Sequence, residues 1–161
     1  MKTFFTSHPA RIPFTHEGYQ KVLDEKKRLL SERPSVVEDL RKAREMGDLS
    51  ENGYYKASRA KLSALDANLR RIERLVRLGK IVESQGGDTI DIGSTVTVTD
   101  GKNTRSYSVV GGYESDPSKH TISHISPLGK ALIGKKEGEE IDVRAPLGIT
   151  HYTILRVNRS Q

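Results

Sequence analysis

Asp48 and Glu51 stand three residues apart in the stretch MGDLSENGYYKA, Met46 to Ala57, where two long helical patterns meet. Two carboxylates at this spacing can do two kinds of work. They match a capping box, in which Asp48 accepts from backbone N–H groups at the start of the second helix and Glu51 reaches back. Both acids also suit the positive end of that helix's dipole. Alternatively, presented at the apex of a hairpin, they can complete the oxygen shell of a Mg²⁺ ion or orient a water for attack. Two carboxylates alone hold Mg²⁺ poorly, because this hard ion keeps several waters and needs phosphate oxygens or further carboxylates. The rest of such a site must therefore come from a partner. Cations ring the acidic point: Arg44 precedes it, and Lys56 and Arg59 follow. They can meet phosphates or form ordinary surface pairs with the acids. Tyr54 and Tyr55 can stack on a base or close the hairpin end by packing.

The elements that must position this tip are legible on either side of it. Val22/Leu23, Leu29/Leu30 and Val36/Val37 recur every seven residues, with Tyr19 and Leu40 on the same stripe. Beyond the tip, Leu62, Leu65, Leu69, Ile72 and Val76 step by three and four. These two seams predict an antiparallel coiled coil of helices over about 17–46 and 50–78, each roughly 40–45 Å long at 1.5 Å per residue. Pro34 lies inside the first pattern and predicts a kink or short break there. Near RLGKIVESQGGD the periodicity changes from helical to alternating. STVTVT, the turn DGKN and RSYSVVGG read as a hairpin. HTISHI, EEIDVRA and HYTILRV read as further strands, and SPLGKALIG as a short helix capped by Ser126, opened by Pro127 and ended by Gly134. The expectation is an α+β chain: a helical hairpin over 1–82, then a small antiparallel sheet with one helix over 83–161, joined by a linker within 83–93.

Composition narrows the function classes. The 161 residues are 34% hydrophobic and 30% charged, which favours an elongated, surface-rich shape over one large core. Cysteine is absent, so disulfides and thiolate metal sites are excluded, and the five His are scattered without metal-ligand spacing. No apolar run reaches the length of a membrane span, and a cytoplasmic protein is the expectation. The net charge of +6 is uneven: residues 1–82 hold 18 Lys and Arg against 11 Asp and Glu, whereas residues 83–161 hold 9 against 10. The basic excess lies in the first half, as expected of a polyanion-facing segment or of a solvated helical surface.

The tip sequence AREMGDLSENGYYKA closely resembles the tip signature of the Gre-type transcript cleavage factors of bacterial RNA polymerase, GreA and GreB, and matches it at Gly47, Asp48, Glu51, Asn52 and Tyr55. HEGYQKV, ERPSVVEDLRKA and ISPLGKALIGKKEGEEIDVRAPLG are similar to other parts of that family. The opening MKTFFTSHPARIP extends beyond its usual start. The resemblance implies a coiled coil that enters the polymerase secondary channel and an FK506-binding-protein-like C-terminal domain that docks at the channel rim. It implies that Asp48 and Glu51 help hold a catalytic Mg²⁺ and the attacking water for cleavage of backtracked RNA, with the polymerase supplying the catalytic centre. Gly47, Asn52 and Tyr55 would support the tip, and Arg44, Lys56 and Arg59 would steady the nascent RNA 3′ segment. Ser126, Pro127 and Leu128 fall in the docking segment. The protein would act as a monomeric cofactor rather than an enzyme, with only indirect contact to DNA. Two other classes stay open: a channel binder that modulates the polymerase without cleavage, and an independent prolyl isomerase. The latter rests on fold analogy alone, in a chain with three Phe and no Trp to line a pocket.

Overall fold

The computed structural model describes residues 11–46, 53–83, 87–145 and 148–159. By compactness the chain forms two units, Gln20–Leu78 and a second one made of residues up to Tyr19 together with those from Gly79 onward.

The first unit is a helical hairpin of α1 (His16–Glu45) and α2 (Gly53–Leu78). Its seam is narrower than the hydrophobic stripe suggests. Leu29, Val36 and Ala43 are buried on α1 at seven-residue steps, joined by Leu40, while Leu30 and Val37 face solvent. On α2 the buried positions Ser58, Leu65 and Ile72 again step by seven, with Leu75 beside them. The pairs Leu29/Ile72, Val36/Leu65 and Ala43/Ser58 share one sum of residue numbers, as an antiparallel register requires. Ion pairs across the seam agree with it: Arg33 Nε to Asp66 Oδ1 at 2.8 Å and Lys61 Nζ to Asp39 Oδ2 at 4.0 Å.

No break occurs at Pro34; α1 runs through it without interruption. Pro34 is exposed and lies on the face opposite Val36. The missing N–H therefore frees a carbonyl on the solvent side, where water can satisfy it. The Arg33–Asp66 pair ties α1 to α2 one residue away.

The second unit begins with a feature that periodicity did not reveal. β1 (Ile12–Phe14) pairs in parallel with β2 (Gly79–Ile81), in the register Ile12 to Gly79 and Phe14 to Ile81. Three-residue strands carry too little alternation to be read from sequence. Phe14 is fully buried, edge-on to Tyr19 and stacked on Tyr113. Five further strands follow: β3 (Ser94–Thr99), β4 (Thr104–Val110), β5 (Thr121–Ser123), β6 (Glu140–Ala145) and β7 (Gly148–Arg159). They form one sheet in the order β5-β4-β3-β7-β6. The pairs β3–β4, β3–β7 and β6–β7 are antiparallel, while the short edge strand β5 joins β4 in parallel.

STVTVT alternates as its pattern demands, with Ser94, Val96 and Val98 buried and the threonines half-exposed. The DGKN turn works through Asp100, whose Oδ1 accepts from the N–H groups of Lys102 (2.9 Å) and Asn103 (2.7 Å), with Gly101 at φ +84°. Helix α3 (Pro127–Leu132) packs Leu132 into a core of Ile90, Val96, Val98, Val109, Ile141, Val143 and Ile154. A Cβ on Gly129 would sit 2.1 Å from the Ser123 carbonyl oxygen, so the close approach of α3 to β5 requires glycine there.

Candidate functional site

Of the expected tip residues, Gly47, Asp48, Glu51 and Asn52 lie outside the described residues, whereas Arg44, Tyr55, Lys56 and Arg59 are described. The hairpin end flanking the acids is built from small residues. Ala43 and Ser58, both buried, occupy corresponding positions on the seam. Sequence reading missed both, because neither is a large apolar residue. Arg44 and Arg59 each follow one of this pair by one residue and are exposed, as is Lys56 one turn before Arg59. Tyr54 is 46% exposed and Met46 70%, while Tyr55 is half-buried.

Charge pairing separates these cations from three arginines of α1. Arg28 binds Glu25 (2.7 Å) and Glu32 (3.2 Å); Arg41 binds Glu38 (2.7 Å) and Glu45; and Arg33 holds Asp66. The hydrogen bond from Arg28 holds the Glu25 carboxyl below its usual range, and Arg41 does the same to Glu38. Among the described residues, Arg44, Lys56 and Arg59 form no ion pair with a carboxylate. They stand at the end of the hairpin nearest Asp48 and Glu51 in sequence. Among the described residues no group of three or more His, Asp or Glu is placed to hold a metal ion, and no helix is long and apolar enough to cross a membrane.

The second candidate region, Ser126–Leu128, divides on inspection. Ser126 is an N-cap: its Oγ accepts from Gly129 N–H at 3.1 Å and its hydroxyl donates to the Ser123 carbonyl at 2.7 Å. Leu128 is half-buried and packs on the core. Pro127 is exposed. Beside it Ile125 is 58% exposed, an apolar residue that sequence reading passed over because its neighbours suggested a strand end.

A clasp around Glu114 also escaped the sequence. Its Oε1 accepts from Thr15 N–H (2.9 Å) and Gly111 N–H (3.0 Å), and its Oε2 accepts from the Thr15 hydroxyl. Thr15 in turn caps α1 by accepting from Gly18 N–H at 2.9 Å. A Cβ on Gly18 would fall 1.7 Å from Glu114 Oε2, and one on Gly111 would fall 2.3 Å from the Pro13 carbonyl oxygen. The sole signal in sequence was a glycine in the first turn of a predicted helix, where alanine would be the better helix former.

Comparison with known proteins covers almost the whole chain. Residues 12–81 match the family "Transcription elongation factor, N-terminal", and residues 84–159 match "Transcription elongation factor, GreA/GreB, C-term". The transcription elongation factor GreA of Desulfovibrio desulfuricans is 37% identical over 151 residues, covering 91% of this chain and 93% of the relative. Those of Novosphingobium aromaticivorans and Maridesulfovibrio salexigens are 40% and 41% identical over 150 residues, covering 91% of this chain and 95% and 94% of the relatives. Among solved structures, GreA factor homolog 1 of Thermus thermophilus aligns over 92% of this chain and 99% of its own, at 22% identity and a TM-score of 0.44. On the strength of the two family matches and the full-length relatives, the chain belongs to the GreA/GreB family of transcription elongation factors.

Proposed function

We propose that this protein binds RNA polymerase, inserts its helical hairpin into the secondary channel and stimulates the polymerase's own cleavage of backtracked nascent RNA. The observation that carries the reading is the pair Asp48 and Glu51, kept in a family-type tip sequence between the end of α1 and the start of α2 and flanked by cations that no described carboxylate neutralises. The donor set fits a shared Mg²⁺ and not a private one: two carboxylates leave most of an octahedral shell to waters, phosphate oxygens and the partner's ligands. In that arrangement Asp48 and Glu51 would hold the ion, and the bound metal would supply charge stabilisation and a water of lowered pKa. Arg44, Lys56 and Arg59 would steady the displaced RNA 3′ segment through its phosphates. Gly47, Asn52 and Tyr55 would shape the turn that presents the acids.

Docking would use the exposed Pro127 with Ile125 beside it, while Ser126 and Leu128 hold that surface in shape. The protein would work as a cytoplasmic monomer with no catalytic centre of its own. The test is RNA release from stalled elongation complexes with wild type, Asp48→Ala and Glu51→Ala. The expected result is loss of stimulated cleavage in both variants with polymerase binding retained. Full cleavage by either variant would refute the metal role, and a loss that tracks the folded fraction would leave the acids as a capping box only.

A further inference from the structure

Met46 carries the only sulfur of the chain beyond residue 1. The sequence holds two Met, of which the other is Met1, and no Cys. An oxidant that seeks sulfur beyond residue 1 therefore has a single target. Met46 directly follows Glu45, the last residue of α1, and stands two residues before Asp48. Its side chain is 70% exposed, more than any other large apolar side chain among the described residues; Tyr113 at 62% and Ile125 at 58% come next. A thioether so placed adds little to the stability of the fold, since an apolar group stabilises by leaving water. It is also open to attack, because susceptibility to oxidation follows exposure. The antiparallel register that pairs Ala43 with Ser58 runs on to set Met46 level with Tyr55, beside Tyr54, which is 46% exposed. The described end of the hairpin thus carries one pliable thioether and two tyrosines next to Arg44, Lys56 and Arg59.

We propose that Met46 is a reversible oxidation site, and that its sulfoxide weakens engagement of the hairpin end with the polymerase, so that peroxide turns the factor down. The inference rests on the reading above, in which this end of the hairpin enters a channel of the polymerase. The step needs only a peroxide. A lone pair on Sδ attacks one peroxide oxygen, and an S–O bond forms as the O–O bond breaks. The departing hydroxide takes the proton from the transferred oxygen and leaves as water; sulfur is oxidised by two electrons and the peroxide is reduced. Methionine sulfoxide reductases reverse the step, two of their thiols becoming a disulfide while the oxygen leaves as water. In the free protein, water solvates the new S=O group at so exposed a position, and the fold keeps its stability. Inside a channel the same group must shed that water, and a polar group left unsatisfied there opposes binding where the apolar thioether did not. Modification is therefore silent in the free chain and felt on engagement.

The experiment treats the full chain with hydrogen peroxide and locates the added oxygen by peptide mass spectrometry. Affinity for RNA polymerase, RNA release from stalled elongation complexes and melting temperature are measured before oxidation, after it, and after repair by methionine sulfoxide reductases. Variants are Met46→Leu, which keeps an apolar side chain without sulfur, and Met46→Gln, which imitates the polarity of the sulfoxide. Both retain Met1, so oxidation at residue 1 is common to all samples. The expected result is oxidation of Met46 at a rate near that of methionine in a short peptide, with the melting temperature unchanged. Affinity falls about tenfold or more, the concentration for half-maximal cleavage rises in parallel, and repair restores both. Met46→Gln binds weakly without peroxide, and Met46→Leu is indifferent to it. Equal loss in Met46→Leu would overturn the proposal, as would full oxidation of Met46 with affinity unchanged. A lower melting temperature on oxidation would place the effect in the fold and overturn it too. Failure of the cleavage reading looks different: the unoxidised chain then binds polymerase but releases no RNA, while affinity still reports the effect of oxidation. An unoxidised chain that does not bind polymerase would overturn both.

Discussion

Glu114 shows how one side chain can dictate the identity of others far away in sequence. Its carboxylate receives two N–H groups and the Thr15 hydroxyl, and the space it fills excludes a side chain at Gly18. Alanine normally stabilises a helix relative to glycine by about 1 kcal/mol. At Gly18 the sign should reverse. Gly18→Ala is expected to destabilise the fold by about 1–3 kcal/mol, because the displaced carboxylate leaves Thr15 and Gly111 donors unsatisfied. In Glu114→Ala the same Gly18→Ala change should cost far less, since the obstacle has gone. Chemical denaturation of the two single variants and the double variant measures this coupling, and strict additivity would show that the clasp does not act through Gly18.

At the scale of elements, the hairpin depends on a thin seam and a few crossing pairs. Leu65 is 6% exposed and faces Val36 in the antiparallel register, so Leu65→Ala should cost about 2–5 kcal/mol in denaturant unfolding. The exposed Leu30→Ala should cost much less. The pair between Arg33 and Asp66 adds a pH dependence whose sign is determined by geometry. The hydrogen bond from Arg33 holds Asp66 below its ordinary value of 3.8, so the carboxylate contributes stability above that pH and loses it as pH falls through the depressed value. The difference in melting temperature between wild type and Asp66→Asn should therefore be present at neutral pH and vanish in acid. It should also shrink with added salt, since the pair is exposed.

For the molecule as a whole, the proposal divides delivery from docking, and the two should separate kinetically. Ile125→Asp, or Pro127→Ala combined with it, should raise the concentration needed for half-maximal cleavage about 10-fold or more while leaving the rate at saturation near wild type. The tip chemistry would be intact, but the gain in effective concentration from a docked domain would be reduced. Titration of stalled elongation complexes measures both quantities. A drop in the saturating rate with unchanged half-saturation would place the role of these residues in the chemistry and not in docking. Ser126→Ala makes a useful contrast: it removes a helix cap, so its effect should be a stability loss of about 0.5–2 kcal/mol.

Local physics was enough to read much of this protein. Heptad spacing foretold both long helices, strict alternation foretold STVTVT as a strand, Asp100 and Gly101 foretold a hairpin turn, and Ser126 with Pro127 foretold the start of α3. Each of these signals repeats within a few residues, which is the range over which backbone geometry correlates with side-chain type. The likeness of GDLSEN and its flanks to one family was likewise a property of the chain alone. Other features depended on partners distant along the chain. Ile12–Phe14 becomes a strand only because Gly79–Ile81 lies beside it, and Gly18 is required only because Glu114 arrives from almost a hundred residues away. The survival of α1 through Pro34 depended on which face solvent occupies. Which arginines are engaged depended on where the carboxylates of the facing helix fall: Arg33 is held by Asp66, while the exposed Arg74 and Arg77 make no ion pair among the described residues. Composition counts charges; only the packed hairpin decides which of them a partner can meet.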